Sequence, residues 1–314
     1  MTDPVLAAAQ AWGEPAAPPR LLARRENAVY ELRLRDGRRG ALRLHRPGYQ
    51  SDAAIRSELW LARTLAESGF PCPAPIPAAG GGLLMAAPDP SGPRASLVTW
   101  IDGRPLSAAP HDGPAADRQL HLLGRRVARL HRQAGALTLP QDFHRPDWSR
   151  AGLVGDAPLW GRFWDSPALT AADRRLLLET RDRLRRWLDA ASAPRGLIHG
   201  DLLPDNVLDG PDGLHLIDFD DCGFGYLPYD LGTALVSHAG GADLPRRAGA
   251  LLAGYAAGGG TPPDDIAPWI LLRALASCGW IGTRADAADP RLAAYAARAV
   301  RLAGEWLAAG GARI

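Results

Sequence analysis

Three polar residues placed around a predicted β-hairpin constrain the fold of this chain more than any other sequence feature. Apolar residues 197–198 predict a strand that leads into a loop carrying the carboxylate Asp201. The segment from the amide Asn206 to the carboxylate Asp218 predicts two short strands, the first over residues 206–208, joined by a turn rich in Asp, Gly and Pro. Because a hairpin brings distant residues to one end, we expect Asn206 and Asp218 to face one metal ion while Asp201 faces a hydroxyl group.

The spacing of these residues matches a known chemical arrangement. Asp201 precedes Asn206 by five residues and Asp218 follows twelve later, which is the order in a kinase catalytic loop and its metal-binding D-F-G segment. Phosphoryl transfer needs hard oxygen ligands that hold Mg²⁺ against the phosphates, and a carboxylate that takes the proton of the acceptor hydroxyl. The alternative is a surface hairpin with solvated aspartates. We predict that Asp201 is the catalytic base and that Asn206 and Asp218 bind metal.

Three motifs carry a family resemblance. The segments His199-Gly-Asp-Leu-x-x-x-Asn206, Ile217-Asp-Phe-Asp220 and Tyr229-Asp-Leu-Gly232 resemble the aminoglycoside phosphotransferase/choline kinase family, nearest the branch of stress response kinase A and type II homoserine kinases. The resemblance implies an α+β, bilobal protein-kinase-like fold with an antiparallel-sheet N-lobe and a mainly helical C-lobe. It also implies ATP- and Mg²⁺-dependent phosphorylation of a hydroxyl group, usually on a small molecule.

The composition of the chain limits the classes of partner and the cellular location that we expect for it. Among the 314 residues, 46% are hydrophobic and 22% are charged, which is typical of a globular protein, and the net charge of +2 gives no reason to expect a nucleic-acid or membrane partner. The three cysteines are too few and too widely spaced to indicate a disulfide framework or a zinc site. The apolar segment 269–282 is interrupted by Arg273, and the N-terminus lacks a signal pattern. We expect a cytoplasmic protein; its oligomeric state is left open.

The chain contains no lysine, so all 36 residues counted as Lys and Arg are arginines. Protein kinases use a lysine on the third N-lobe strand, paired with a helix glutamate. Residues 29–34 and 40–44 predict a hairpin that carries Arg43 at the position of this lysine, and residues 52–68 predict a helix with Glu58 at the edge of its core face. A guanidinium can bind phosphate and carboxylate together. The alternatives are an exposed strand charge for Arg43 and a solvated helix residue for Glu58.

The loop expected to cover the phosphates departs from the protein-kinase pattern. Residues 24–30 contain no glycine, whereas protein kinases use a Gly-rich loop there. The resembled family often lacks that motif, so kinase activity is not excluded. Asn27 is a candidate for the loop tip, and a solvated turn residue is the favoured alternative.

A short apolar strand predicts the hinge that binds the adenine base. Residues 97–101 read as a strand ended by Asp102-Gly103. The resemblance implies that the backbone of Thr99 and Ile101 bonds the adenine edge and that Val98 faces the base pocket. A role for the neighbouring tryptophan as an adenine wall is less favoured than packing.

The position of the predicted hinge divides the chain into the two expected lobes. We expect an N-lobe over residues 1–97 with an N-terminal extension at 1–20, a hinge at 98–103 and a C-lobe over 104–314. Beyond the hinge the apolar residues recur at helical spacing. The C-lobe helices are predicted around residues 120–134, from 170 through 188, and at 228–238, 246–257, 266–277 and 291–309.

Four further polar residues surround the catalytic segment. Asp220 could reach a second metal ion or a cationic substrate, or it could be part of the scaffold, and the sequence favours neither; Asp221 is expected to be scaffold. The resemblance places Asp230 at the start of a helix behind the catalytic loop, where it would accept backbone N–H bonds. His199 is expected to order the same loop, since the role of base is already assigned to Asp201.

Three functions remain open at this point. The favoured one is an ATP- and Mg²⁺-dependent phosphotransferase acting on a hydroxyl of a small molecule of the amino alcohol, aminoglycoside or homoserine class. The second is a serine/threonine protein kinase like stress response kinase A. The third is a catalytically silent nucleotide-binding module, against which the intact Asp201, Asn206 and Asp218 argue.

Overall fold

The computed structural model describes residues 4–24, 27–86, 92–108, 113–286 and 288–311. The α-helices of these residues are, in chain order, α1 (Pro4–Ala9), α2 (Asp52–Glu67), α3 (Pro114–Gly135), α4 (Arg150–Val154), α5 (Ala171–Ala190), α6 (Leu227–Leu235), α7 (Leu244–Ala257), α8 (Ala267–Gly282) and α9 (Pro290–Ala308). The strands are β1 (Arg20–Arg24), β2 (Ala28–Arg33), β3 (Arg39–His45), β4 (Arg94–Thr99), β5 (Arg104–Pro105), β6 (Asp147–Trp148), β7 (Arg195–Ile198), β8 (Val207–Gly210), β9 (Gly213–Leu216) and β10 (Gly223–Tyr226).

The chain forms two compact units. The first unit consists of the described residues of Met1–Pro105, Thr138–Arg145 and Val207–Asp220. The second unit consists of those of Leu106–Leu137, Pro146–Asn206 and Asp221–Ile314.

An antiparallel sheet of order β1-β2-β3-β4 forms the body of the first unit. Its apolar residues alternate along each strand, as expected for a sheet with one buried face, so that Leu32, Leu42 and Leu97 are buried on one side together with Trp12. Arg43 lies on the opposite side of β3, between Val29 on β2 and Ser96 on β4.

The helix α2 and a small second sheet complete the first unit. Ser51 caps α2 by accepting a hydrogen bond from the amide of Ala54, and Ile55 and Leu59 lie in a small apolar cluster. The sheet β5-β8-β9 contains the hairpin β8–β9, in which Val207 pairs with Leu216.

The second unit is mainly helical, with a small sheet of order β6-β10-β7. Its core contains several large aromatic side chains, among them Trp148, Phe163, Tyr229 and Trp269. The helix α5 begins at the predicted capping box, in which Thr170 and Asp173 exchange hydrogen bonds. In the part of the chain that the structure describes, no helix is long and apolar enough to cross a membrane.

The α+β fold class is confirmed, and the predicted limits of several strands are wrong, among them two at predicted site residues. The strand predicted over 97–101 ends at Thr99, because Thr99 is the last residue paired with β3. The strand predicted from Asn206 begins one residue later, because the amide of Asn206 donates to the carbonyl of Leu203 and closes a 3₁₀ turn. Part of the predicted glycine-free loop, residues 25–26, lies outside the described residues.

Candidate active site

Two features fix the loop that carries Asp201 in the second unit: hydrogen bonds from its backbone amides to a buried carboxylate, and one glycine. The buried carboxylate of Asp230 accepts hydrogen bonds from the amides of His199 (2.8 Å) and Gly200 (2.9 Å). Gly200 has a φ of +80°, and a Cβ atom on it would lie 2.4 Å from the carbonyl oxygen of Asp221, so only glycine fits. The loop therefore leaves β7 in one defined conformation.

Asp230 also connects this loop to the helices behind it. Its Oδ2 atom lies 3.1 Å from Nε2 of His131 on α3, whose Nδ1 lies 2.9 Å from the hydroxyl of Tyr255 on α7. Burial alone would raise the pKa of the Asp230 carboxyl, but the hydrogen bonds with His131 and His199 hold this pKa below its ordinary value. The carboxylate is thus charged and fully partnered.

The carboxylate of Asp201 is held at both of its oxygen atoms. Its Oδ2 accepts a hydrogen bond of 2.9 Å from Nδ2 of Asn206, which also donates to the Asp201 carbonyl oxygen at 2.8 Å. Its Oδ1 accepts a hydrogen bond of 2.6 Å from Nη2 of Arg273 on α8. The Asp201 side chain is still 21% exposed, so a substrate hydroxyl can approach it.

Arg273 is a site residue that the sequence analysis did not identify. In the sequence it is an interruption of an apolar segment, and it stands 72 residues from Asp201 in the chain. A charged residue in the middle of an otherwise apolar buried helix was the available signal.

Arg43 in the first unit joins three carboxylates. Its Nη1 donates to Oε1 of Glu58 at 2.7 Å, and its Nη2 donates to Oδ1 of Asp218 at 2.9 Å. A third carboxylate oxygen, Oδ1 of Asp220, lies 3.6 Å from Nη1. Burial would lower the pKa of Arg43, but the carboxylates, Glu58 first, hold it above its ordinary value. Arg43 thus donates hydrogen bonds to two carboxylates and lies close to a third.

Asp218 has an unusual backbone conformation. It is the one residue other than glycine with a positive φ, +64°, among those the structure describes. Such a conformation is uncommon for residues with a side chain and is often found at functional sites. The Asp218 side chain is 46% exposed, so one of its faces is open to a ligand.

Asp220 is buried close to Asp218 in the chain, and several side chains donate hydrogen bonds to it. Its Oδ2 accepts a hydrogen bond of 3.1 Å from Nδ2 of Asn27, and its carbonyl oxygen accepts from Nε2 of Gln50 (2.7 Å) and from Arg145. Within the described part of the chain its Oδ1 has no hydrogen-bond partner. Burial, followed by repulsion from Glu58, raises the pKa of the Asp220 carboxyl to about 7.

Asn27 is not the solvated turn residue that was the favoured alternative. Besides its bond to Asp220, its Oδ1 accepts a hydrogen bond of 3.1 Å from the amide of Arg46. Asp221 belongs to the second unit, where its Oδ1 accepts from Nε1 of Trp160 (3.3 Å) and its carbonyl oxygen from Nε1 of Trp148 (2.9 Å).

The predicted hinge lies at the end of β4. The amide of Thr99 donates to the carbonyl of Ala74 at 2.8 Å, so this N–H is already used within the protein. Val98 pairs with Ala41 on β3. The guanidinium of Arg39 covers the ring of Trp100 at 4.1 Å. The predicted contacts of Val98, Thr99 and Ile101 with adenine stay predictions.

The residues present fit a divalent cation. The described residues contain no group of three or more His, Cys, Asp or Glu that could hold a metal ion. Mg²⁺, however, is commonly bound by one or two carboxylates while phosphates and waters complete its shell. Within the first unit, the exposed carboxylate of Asp218 and the Oδ1 atom of Asp220, which has no hydrogen-bond partner among the described residues, are oxygens of this kind. In the second unit, the Asn206 amide donates both of its hydrogen bonds to Asp201 from Nδ2, and its Oδ1 is a neutral oxygen of the kind that Mg²⁺ binds.

Comparison with known proteins identifies the family. The model of the phosphotransferase enzyme family matches residues 19–269. Homoserine kinases from Chelativorans sp. (strain BNC1) and Sinorhizobium fredii (strain NBRC 101917 / NGR234) are 32% and 30% identical over 217 and 211 residues, 63% of this chain in each case. These alignments cover 58% and 57% of the two relatives, so this chain spans less than two thirds of their length.

Solved structures agree with this assignment. A microcompartment-associated aminopropanol kinase is 30% identical, with a TM-score of 0.85 over 98% of both chains. The amicoumacin kinase hAmiN, solved with AMP-PNP, Ca²⁺ and Ami, is 19% identical, with a TM-score of 0.77 over 95% of this chain and 91% of that one, and shares the fold. The chain belongs to the phosphotransferase enzyme family, and the resemblance found in its motifs is confirmed.

Proposed function

We propose that this member of the phosphotransferase enzyme family is an ATP- and Mg²⁺-dependent kinase that transfers the γ-phosphoryl group to a hydroxyl of a small molecule. The observation that carries the proposal is the Asp201 carboxylate, which is partly exposed and held at both oxygens by Asn206 and Arg273. A carboxylate held in this way has free lone pairs for one hydroxyl proton. Its position in the motif His199-Gly-Asp201 assigns it the role of catalytic base.

We propose Asp218 and Asn206 as metal ligands and Asp220 as a second acidic group near the metal. When bound, Mg²⁺ neutralises charge on the phosphates and holds them for transfer. Asp218 contributes a charged oxygen and Asn206 a neutral one.

Arg43 is proposed to bind the phosphates in place of the usual lysine. Its Nη1 is held by Glu58, which fixes the guanidinium plane. Its Nη2 donates to the exposed carboxylate of Asp218, and a phosphate oxygen can replace this acceptor once a metal ion binds Asp218. Thr99, Ile101 and Val98 are proposed to bind the adenine.

The acceptor is proposed to carry an amino group close to its hydroxyl. In the second unit, Asp201, Asp221 and Arg273 together hold two negative charges and one positive charge, a balance that favours a cationic substrate. Amino alcohols, aminoglycosides and homoserine all meet this requirement. The similarity to an aminopropanol kinase over 98% of the chain makes small amino alcohols the first compounds to test.

The test is a coupled assay of ADP formation with a panel of acceptors. The panel contains 1-amino-2-propanol, other amino alcohols, aminoglycosides, L-homoserine and a generic protein substrate, with mass spectrometry of the products. We expect ADP formation that depends on a small hydroxyl compound and on Mg²⁺ and yields its phosphate ester. Phosphorylation of the protein substrate alone, or nucleotide binding without turnover of any acceptor, would contradict the proposal.

A further inference from the structure

Arg273 is a buried charge in an apolar helix. The residues of α8 from Trp269 to Gly279 are all buried, and Arg273 itself is 4% exposed. Removing a guanidinium from water costs several kcal/mol unless the charge is paired and hydrogen-bonded. The presence of an arginine at this position therefore requires a partner that makes use of it.

The partner of Arg273 is the proposed catalytic base. Its Nη2 donates to Oδ1 of Asp201 at 2.6 Å, whereas its Nε and Nη1 have no hydrogen-bond acceptor within the described residues. Burial would lower the pKa of Arg273, but its neighbours, Asp201 first, then Tyr229 and then Asp221, hold this pKa above its ordinary value. The guanidinium is therefore charged, and its hydrogen bond is directed at Asp201.

Aromatic rings hold the guanidinium in place. Its Cζ atom lies 4.5 Å from the ring centroid of Trp160, which packs edge-on against Trp148 with centroids 5.0 Å apart. Trp148 in turn stacks on Tyr229 at 5.6 Å. A planar guanidinium can pack its face on a ring and still donate from its edge, which an ammonium group cannot do in the same way.

We propose that Arg273 is a positioning residue that acts through Asp201, an inference that rests on the proposed kinase function. Arg273 occupies Oδ1 and Asn206 occupies Oδ2, so the carboxylate cannot rotate about its Cβ–Cγ bond without losing a hydrogen bond. The remaining lone pairs then point in fixed directions toward the acceptor hydroxyl. In phosphoryl transfer most of the catalysis is positioning and charge stabilisation, so the orientation of this carboxylate affects the rate directly.

The test compares Arg273 with a matched buried arginine of the same unit. Arg181 is also buried, covers the ring of Trp164 at 4.4 Å and forms an ion pair with an aspartate, Asp156, but it contacts no proposed site residue. With 1-amino-2-propanol or L-homoserine as acceptor, Arg273→Met is expected to lower kcat roughly 10–10²-fold, the range for a misplaced reacting group. The KM for ATP should stay within about twofold, and Arg181→Met should keep wild-type kcat while lowering the unfolding midpoint.

Two further measurements separate positioning from a structural role. In the Asp201→Asn background, Arg273→Met should change kcat by less than about twofold, because the two residues act through one contact. Methylguanidine, at concentrations far below denaturing ones, should restore part of the kcat of Arg273→Ala. Equal losses of kcat in the Arg273→Met and Arg181→Met variants, or an undiminished effect in the Asp201→Asn background, would overturn the proposal.

A crystallographic comparison keeps this proposal separate from the proposed function. If the wild type turns over no acceptor, the kinase proposal fails, but the order of the Asp201 side chain can still be measured. We expect one Asp201 conformer in the wild type and several in Arg273→Met. A single unchanged conformer in folded Arg273→Met would show that Arg273 does not position Asp201.

Discussion

Nη1 of Arg43 donates a hydrogen bond of 2.7 Å to Oε1 of Glu58, in a chain that has no lysine. The contact joins β3 to α2 in the way that a lysine and a glutamate are joined in kinases. Arg43 also reaches Asp218 with its second terminal nitrogen, so each carboxylate has its own nitrogen donor, whereas a lysine has one nitrogen for both. The fork of the guanidinium thus holds two carboxylates apart at fixed positions.

Substitutions of Arg43 test its role in phosphate binding. Arg43→Ala is expected to weaken nucleotide affinity and turnover together, whereas Arg43→Lys should retain substantial activity because it keeps the point charge. Glu58→Ala should add little on top of Arg43→Ala, since the two residues act through one contact. Isothermal titration with a non-hydrolysable ATP analogue provides the affinities, and wild-type affinity in all three variants would show that another arginine binds the phosphates.

The two proposed metal ligands should contribute unequally to the Mg²⁺-dependent binding of nucleotide. Asp218→Ala is expected to abolish the Mg²⁺ dependence of nucleotide binding, because it removes a charged ligand, while Asn206→Ala should weaken it less. Titration of the ATP analogue with and without Mg²⁺ measures both effects. Asp142, an exposed carboxylate of the first unit, offers a control whose alanine variant should bind as the wild type does. Mg²⁺ dependence that survives in Asp218→Ala would exclude Asp218 as a ligand.

The loop that carries Asp201 should depend on Asp230 for its stability. Asp230→Ala leaves the buried amides of His199 and Gly200 without an acceptor and is expected to destabilise the protein by about 3–5 kcal/mol. Asp165→Ala removes an exposed ion pair with Arg174 and should stay within about 1 kcal/mol. Urea unfolding, monitored by tryptophan fluorescence, measures the free energy of unfolding of both variants. Similar midpoints for the two variants would mean that Asp230 does not hold the loop.

The stability of the folded protein at acid pH should depend on the ionisation of the Glu31 carboxyl group. This carboxylate accepts hydrogen bonds from Arg20, Arg33 and Arg39, and these lower its pKa from 4.5 to about 2 in the folded protein. A lowered pKa in the folded state contributes stability above pH 4.5 that is lost as the pH falls toward 2. Glu31→Gln should therefore reduce the unfolding midpoint at pH 7 and flatten its decline between pH 4.5 and 2. An unchanged slope in that window would contradict this assignment.

Local patterns were enough to predict the parts of the site that lie within one motif or one pair of elements. The hairpin β8–β9 follows from its strand and turn residues. The contact of Arg43 with Glu58 follows from the strand and helix periodicities together with the lysine–glutamate pair of kinases. The pairing of Arg273 with Asp201 depends on how α8 packs, which no local pattern specifies. The bond of Asn27 to Asp220 likewise joins residues 193 positions apart.

The central claim is that Asp201 is the catalytic base of a phosphotransferase, and the Asp201→Asn variant tests it most directly. The substitution preserves the shape of the side chain but removes the basic oxygen, so we expect kcat with the best small acceptor to fall roughly 10²–10⁴-fold. Affinity for the ATP analogue should stay close to that of the wild type, whereas the unfolding midpoint should fall because the buried Arg273 loses its charged partner. Comparable kcat values for the purified variant and the wild type would contradict the assignment.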